Sequence, residues 1–225
     1  MPSDEKLWAM VDRFAAERLA PADPVMEAVL ERNRRNHLPA IDVSPLQGGF
    51  LNLIVRMCRA SKVLEIGTLG GYSTIWMARA LPEDGKVVTL ELEAHHADVA
   101  QQNFAACNLT DRIDLRVGPA LSSLRQLESE KAGPFDLVFV DADKPNNKHY
   151  LDWAVRLAEP GTVIICDNVV RGGAVLEADS RDENVQGARD VFSFFGMHEA
   201  LDATLLQTVG DKGYDGFAIA VVRNR

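Results

Sequence analysis

Two apolar runs of this sequence end in polar side chains that could bind a metal ion. The run FDLVFV leads directly into Asp141, Asp143 and Lys144, and the run GTVIIC is followed by Asp167 and Asn168. Carboxylate and amide oxygens are hard ligands that suit Mg²⁺ or Ca²⁺ and do not suit zinc. If the two runs are neighbouring strands, Asp141, Asp167 and Asn168 would face one another and form a divalent-cation site.

Lys144 lies three residues after Asp141 on the same predicted loop. A nearby cation pushes a lysine toward its neutral form, and a neutral amine can act as a general base. A surface ion pair with Asp143 explains the lysine equally well, and a helix N-cap explains one of the two acids. The capping alternative does not account for Asp167 and Asn168.

A glycine-rich turn follows an earlier apolar run, in the stretch VLEIGTLGGYS. Gly67, Gly70 and Gly71 permit a tight turn whose backbone lies close to a ligand, although the dinucleotide fingerprint G-x-G-x-x-G is absent. Glu91 ends the next apolar run, where an acid can accept hydrogen bonds from ribose hydroxyls. These features predict a nucleoside-containing cofactor and disfavour a nicotinamide oxidoreductase.

Apolar runs that alternate with helical segments would position these residues. Five of them begin about 20 to 27 residues apart: KVLEI, KVVTLEL, RIDLRV, FDLVFVD and GTVIICD. This spacing leaves room for a helix and two turns, as in βαβ units with a parallel sheet covered on both faces. The last two runs, ATLLQTV and GFAIAVV, lie close together and predict an antiparallel hairpin. We expect a Rossmann-like α/β fold with a doubly wound, seven-stranded, mostly parallel sheet.

The first 60 residues are predicted to be helical. Pro21 and Pro24 separate a first helix from a second that spans about 25–36, and Ser44 is placed to cap a third helix that starts at Pro45. The residues whose spacing of about 3.6 defines the first helix are Leu7, Met10, Val11, Phe14 and Arg18.

Length and composition favour one domain over residues 1–225, with N-terminal helices over 1–60 and a cofactor-binding core over 61–225. No apolar stretch approaches the ~20 residues that span a bilayer, and no leader is evident at the N-terminus. The three cysteines lack C-x-x-C pairing, as in a reducing compartment. We therefore expect a cytoplasmic protein without a membrane partner. The net charge of −9 disfavours a general nucleic-acid binder.

With these residues considered together, the chain resembles the cation-dependent O-methyltransferases that use S-adenosylmethionine, the group of catechol and caffeoyl-CoA O-methyltransferases and their bacterial relatives. The resemblance runs from about Asp42 to the C-terminus. It rests on the motifs VSPLQGGFL, VLEIGTLGGYS, VVTLELE, VGPA, FVDADK, CDNV and GYDGFAIAVV. It implies the class I methyltransferase fold, S-adenosylmethionine as cofactor, Mg²⁺ or Ca²⁺ at the metal site, and a homodimer.

The resemblance also implies roles for individual residues. Lys144 and Asp141 would be catalytic, with Lys144 as the general base, and Asp143 would have no direct role. The metal ligands would be Asp141, Asp167 and Asn168. Within the cofactor site, the methionine part would lie near the glycine-rich turn, the ribose on Glu91 and the adenine on Ala120. The full set of implied cofactor residues is Val43, Ser44, Glu65, Gly67, Thr68, Ser73, Glu91, Ala120 and Asp141.

The acceptor is expected to be a small phenolic molecule with a catechol-like vicinal diol. The predicted loop over 171–187 is charged and poor in aromatic residues, so we expect it to be mobile and solvated, and it does not favour a bulky CoA ester. Some bacterial relatives methylate a hydroxylated uridine in transfer RNA, and that alternative would place Arg32, Arg34, Arg35 and His37 on phosphates. These basic residues are otherwise a solvated helix end. A catalytically silent subunit is a third alternative, but it would have no need of Lys144.

Overall fold

A computed structural model describes residues 4–19 and 23–224, and in these residues eight α-helices surround one seven-stranded sheet. The helices are α1 (Asp4–Leu19), α2 (Pro24–Arg35), α3 (Pro45–Met57), α4 (Tyr72–Ala78), α5 (Ala94–Ala106), α6 (Ala120–Ser129), α7 (Asn147–Arg156) and α8 (Glu183–Met197). The strands are β1 (Lys62–Ile66), β2 (Lys86–Glu91), β3 (Ile113–Val117), β4 (Phe135–Val140), β5 (Ala158–Cys166), β6 (Leu201–Gly210) and β7 (Gly213–Val222).

The strand order is β3-β2-β1-β4-β5-β7-β6. Strands β1 to β5 pair in parallel, whereas β7 is antiparallel to both β5 and β6. The predicted doubly wound sheet and its C-terminal hairpin are therefore confirmed. The order reverses between β1 and β4, so the carboxyl ends of these two strands border the crevice in which ligands of such sheets bind.

The strands are apolar along nearly their whole length because helices cover both faces of the sheet. On β4, Leu137 and Phe139 pack into the core beneath α2 to α5, and Val138 and Val140 pack into the opposite core beneath α6 to α8. Of the three free cysteines, only Cys166 is fully buried, and the other two are half-buried. Within the described residues, no helix combines the length and the apolar character required to cross a membrane.

The N-terminal helices form where they are predicted, but α1 buries none of its side chains. The apolar residues whose spacing predicts this helix are 47% to 61% exposed, and they are Leu7, Met10, Val11 and Phe14. Pro21 lies outside the described residues, while Pro24 is the first residue of α2. The predicted cap of α3 is confirmed, because Ser44 Oγ accepts a hydrogen bond from the Gln47 N–H at 3.1 Å and Pro45 opens the helix.

The segment 171–187 is largely exposed, as expected, but only its middle part is a loop. Its first six residues form a short 3₁₀ helix, Arg171–Leu176, and its last five belong to α8. The Gln186 amide donates to Ser180 O at 2.6 Å, and the Arg189 guanidinium donates to Val175 O at 2.6 Å. The sequence suggested a loop because the segment is polar and contains two glycines, but its backbone is held by side chains from α8.

Candidate active site

A cavity of about 620 Å³ opens at the carboxyl ends of β1, β2 and β4, a volume within the ~300–1,000 Å³ usual for small-molecule sites. It reaches from the glycine-rich turn to the segment after β5. Most of the predicted site residues line it, namely Val43, Gly67, Thr68, Ser73, Glu91, Ala120, Asp141, Lys144 and Asn168.

Glu91 fixes the glycine-rich turn from the end of β2. One carboxylate oxygen accepts hydrogen bonds from the N–H groups of Thr68 at 3.2 Å and Leu69 at 2.7 Å. The other oxygen accepts from the Glu93 N–H at 2.9 Å and lies 3.4 Å from His96 Nδ1. His96 also lines the cavity, and the sequence does not predict this position. His95 and His96 are adjacent on a predicted helix, and no pattern indicates which of the two faces the site.

Ser44 and Glu65, both predicted to contact the cofactor, lie outside the lining of this cavity. Ser44 serves as the cap of α3. Glu65 is 0% exposed, and its carboxylate accepts hydrogen bonds from the hydroxyls of Ser73, Thr74 and Thr89. Glu65 therefore supports Ser73, a lining residue, from beneath. A direct contact between Glu65 and the cofactor stays a prediction.

The burial of Glu65 predicts a specific pH dependence of stability. Burial raises the pKa of this carboxyl from 4.5 to about 7. The three hydrogen bonds from hydroxyl groups lower the pKa, but their effect is smaller than that of burial. Between these two pH values the folded protein holds a proton that the unfolded chain has released. The contribution of Glu65 to stability is thus fully present below pH 4.5 and is lost as the pH rises to about 7.

As the pH rises from 4.5 to about 7, we expect ionisation of Glu65 to lower the free energy of unfolding of the wild-type protein by up to about 3 kcal/mol. Glu65→Gln should abolish this part of the pH dependence. The hydroxyl partners can rotate toward an amide, so any change in these hydrogen bonds shifts stability equally at both ends of the interval. Denaturant unfolding at a series of pH values measures the difference. The same pH slope in both proteins would contradict the prediction.

The lysine at the end of β4 is buried and paired with Asp141. Lys144 is 6% exposed, and its Nζ donates to Asp141 Oδ1 at 2.8 Å. Burial lowers the pKa of Lys144, but the charge and hydrogen bond of Asp141, together with the nearby Cys166 and Asp167, outweigh burial, and the net effect is a raised pKa. The alternative pair with Asp143 is wrong: that carboxylate accepts from Tyr150 Oη and Asn146 Nδ2, each at 2.5 Å, and it caps no helix.

The three predicted metal ligands follow two adjacent strands, because β4 and β5 pair in parallel. Asp167 is 4% exposed, and its carboxylate accepts from Gln47 Nε2 at 2.5 Å and from the Asn168 N–H at 2.8 Å. Burial and the nearby Asp141 carboxylate raise the pKa of Asp167 to about 7. Two neighbouring carboxylates, of which only that of Asp141 pairs with a lysine, would leave an excess of negative charge when both are ionised, so the donor set fits a divalent cation.

The described residues contain no larger cluster of charged side chains that could bind a metal ion. In residues 4–19 and 23–224, no group of three or more His, Cys, Asp or Glu side chains is arranged to hold a metal ion. The predicted set contains only two such side chains, and its third member, Asn168, supplies an amide. Asn168 lies in the left-handed region, with φ of 55°, and lines the cavity.

Two glycines hold the loop that carries Asp141 and Lys144. At Gly67, whose φ is 103°, a Cβ would overlap the carbonyl oxygen of Asp141, and at Gly187 on α8 a Cβ would overlap that of Lys144. Because both contacts involve backbone atoms, no side-chain rotation can relieve them. The turn after β1 and the helix α8 thus approach the loop from two sides.

We expect Gly187→Ala to displace this loop, lowering stability by roughly 1–3 kcal/mol, as overpacking does, and lowering turnover as well. Gly196→Ala on the same helix is the matched control, since a Cβ there meets nothing within 4 Å. That control should be neutral or slightly stabilising. Denaturant unfolding and turnover of both variants measure the difference, and equal stability of the two would contradict the close approach at Gly187.

The arginines near the end of α2 make contacts within the chain. The guanidinium groups of Arg34 and Arg35 pair with Glu31, and that of Arg32 donates to Asn103 Oδ1 at 2.5 Å. This arrangement agrees with a helix end, and the single glutamate leaves an excess of positive charge on the three arginines.

Comparison with known proteins places the chain in a family. A model described as O-methyltransferase matches residues 16–210. The chain is 47% identical to the catechol O-methyltransferase of Niastella koreensis, and the alignment covers 98% of this chain and 100% of the relative. It is 50% identical to the catechol O-methyltransferase of Mycobacterium tuberculosis, and the alignment covers 95% of both chains. The O-methyltransferase from Bacillus cereus, solved in complex with SAH, is 52% identical with a TM-score of 0.96, covering 97% of this chain and 99% of that one. The chain belongs to the O-methyltransferase family.

Proposed function

We propose that this protein transfers the methyl group of S-adenosylmethionine to one hydroxyl of a small catechol-like diol, with a divalent cation bound by Asp141, Asp167 and Asn168. The observation that carries the proposal is the pair between the buried Lys144 and the half-buried Asp141 in the lining of the cavity, beside the buried carboxylate of Asp167. The relatives named catechol O-methyltransferase and the SAH-bound enzyme from Bacillus cereus support the acceptor class and the cofactor.

The cavity has two ends that suit the two reactants. Val43, Gly67, Ser73 and Glu91 would hold the cofactor around the glycine-rich turn, and Ala120 at the start of α6 would border its adenine. The acceptor would then lie toward the segment after β5. S-adenosylmethionine carries no phosphate, which agrees with a turn that lacks the dinucleotide spacing.

Methyl transfer at this site would be a single displacement. Lys144 Nζ, in its neutral form, would accept the proton of the acceptor hydroxyl, whose oxygen would take the methyl group as the sulfur–methyl bond of the cofactor breaks to leave a neutral thioether. A divalent cation at the three ligands would lower the pKa of the acceptor hydroxyl and offset the charge of Asp141, which otherwise keeps Lys144 protonated. The main contribution of the protein is to hold the reacting groups in line.

An acceptor screen with labelled S-adenosylmethionine tests the proposal. We expect catechol to be methylated with Mg²⁺, the product to disappear when a chelator is added, and turnover to return with excess Mg²⁺. Turnover that persists with the chelator would contradict the cation, and inactivity toward every diol would contradict the acceptor class. Hydroxylated transfer RNA in the same assay tests the nucleic-acid alternative, which would also require activity to fall steeply with salt.

The expected homodimer is also a proposal. It is supported by the exposed apolar side chains of α1, since apolar surface of this kind is usually covered by a partner. We expect light scattering to give twice the chain mass and Phe14→Glu to shift the distribution toward the monomer. A single-chain mass for the wild-type protein would contradict the dimer.

A further inference from the structure

The acceptor end of the cavity contains an arginine that the proposed mechanism does not use. Arg171 lines the cavity together with Asn168 and Lys144, and it begins the 3₁₀ segment after β5. It is half-buried, and in the part of the chain that the structure describes it makes no salt bridge and its guanidinium donates no hydrogen bond. A guanidinium offers five N–H donors, so this side chain keeps its capacity to bind an anion.

The backbone around Arg171 holds it in an uncommon conformation. Arg171, Gly172 and Gly173 all have positive φ, at 56°, 64° and 95°. A non-glycine residue with positive φ is uncommon and persists where the surroundings enforce it. Here Asp215 on β7 does so, because its Oδ1 accepts the N–H groups of Val170 at 3.0 Å and Arg171 at 2.9 Å. These hydrogen bonds involve only the backbone of Arg171, so a side-chain substitution leaves them in place.

The other charges around this end of the cavity are already engaged. Lys144 is paired with Asp141, and Asp143 accepts hydrogen bonds from Tyr150 and Asn146. Asp182 caps α8, because its carboxylate accepts a hydrogen bond from the Asn184 N–H at 2.8 Å. Hydrogen bonds from Asn184 lower the pKa of Asp182, and the charge of Arg171 lowers it to a smaller degree.

We propose, on the basis of the proposed diol acceptor, that Arg171 is a specificity-determining residue that binds a carboxylate carried by the acceptor. The preferred acceptors would then be acidic catechols, in which the two hydroxyls and the carboxylate lie at opposite ends of one ring. Planar guanidinium and carboxylate groups can form two parallel hydrogen bonds. Such a pair would orient the ring of the acceptor and would also strengthen its binding. The orientation in turn selects which hydroxyl faces the methyl group.

Calorimetric titration of the full chain with Mg²⁺ and SAH present tests this assignment without requiring turnover. The probes are 3,4-dihydroxybenzoate, catechol and 3,4-dihydroxybenzylamine, which differ in the charge on the ring substituent. We expect the wild-type protein to bind the acid most tightly. Arg171→Gln should weaken binding of the acid by about 10- to 100-fold and change catechol binding by less than about 3-fold, while Arg171→Lys should restore part of the loss.

Arg181→Gln is the matched control, because Arg181 is exposed, lies on the same connection to α8 and does not line the cavity. It removes the same charge and should leave the preference for the acid intact. Arg171→Glu should reverse the preference in favour of the amine. The inference is overturned if the wild-type protein shows no preference for the acid, if Arg171→Gln weakens the three probes equally, or if Arg181→Gln has the same effect.

The same set of proteins separates this inference from the proposed function. Turnover of catechol by the wild-type protein addresses the reaction alone, since catechol carries no carboxylate. A wild-type protein that methylates catechol but binds acid and amine equally would retain the proposed function and lose the role of Arg171. A protein that binds the acid through Arg171 but methylates no diol would lose the proposed function only.

Discussion

Replacement of Lys144 by alanine is expected to lower kcat by roughly 10²- to 10⁴-fold, the usual contribution of a positioned acid or base. The reason is that, among the described residues, Lys144 is the only lysine that lines the cavity, so no neighbouring lysine can take its place. Its buried Nζ, 2.8 Å from Asp141, is also held in one position before any ligand binds. Steady-state kinetics with catechol and saturating S-adenosylmethionine measure the loss.

Binding provides the second readout for this variant. Lys144→Ala removes no predicted metal ligand and no residue of the cofactor end, so the affinities for Mg²⁺ and for SAH should change little. Lys148→Ala is the control, since Lys148 is exposed on α7 and does not line the cavity. Full kcat in Lys144→Ala would remove the lysine from the mechanism, and loss of Mg²⁺ binding would show that it acts by holding Asp141.

Asp167→Asn is expected to change activity and stability in opposite directions. Loss of one of two ligand carboxylates should weaken Mg²⁺ binding and turnover by at least about 100-fold, because outer-shell substitutions alone cost 10–100-fold. In the cation-free protein at pH 8, however, the same change removes a buried charge that lies near Asp141. We therefore expect the free energy of unfolding to rise by roughly 1–3 kcal/mol. The side chain of Gln47 can turn over to present its oxygen to the new amide, so the pairing survives.

Thermal unfolding with and without Mg²⁺ separates the two effects. A cation that binds only the folded state raises its stability, and this rise should be large in the wild-type protein and small in Asp167→Asn. Asp152→Asn is the control, since Asp152 is exposed on α7 and is not a predicted metal ligand. A variant that is less stable than the wild-type protein without Mg²⁺, or that responds equally to Mg²⁺, would contradict the assignment of Asp167.

The parts of the fold that depend on periodic burial could be predicted from the sequence. The seven strands and the cap at Ser44 follow from apolar runs and from local capping chemistry, each of which depends on a few neighbouring residues. The adjacency of β4 and β5, on which the site prediction rests, agrees with the tendency of consecutive strands to be neighbours, a tendency that β3 and β4 of the same sheet do not follow. The resemblance to a known family then supplied roles that the pattern alone left open.

The features that could not be predicted depend on contacts between distant parts of the chain. The carboxylate of Asp167 accepts a hydrogen bond from Gln47, which lies 120 residues earlier in the chain. The order in the segment after β5 is likewise supplied by Asp215, 44 residues beyond Arg171. No periodicity or local motif carries such information, because the partners meet only after the sheet has formed.

Gly67 and Gly187 lie against the backbone carbonyl groups of Asp141 and Lys144, so local unfolding near either glycine is expected to lower turnover. Since α8 lies directly against the carbonyl of Lys144, any opening that lifts the helix from the sheet also releases the loop that carries the predicted base. Such partial openings are less costly than global unfolding and become populated first on heating. The enzyme would then lose turnover reversibly below its melting temperature, with amide hydrogen exchange in α8 and in the loop after β4 rising together.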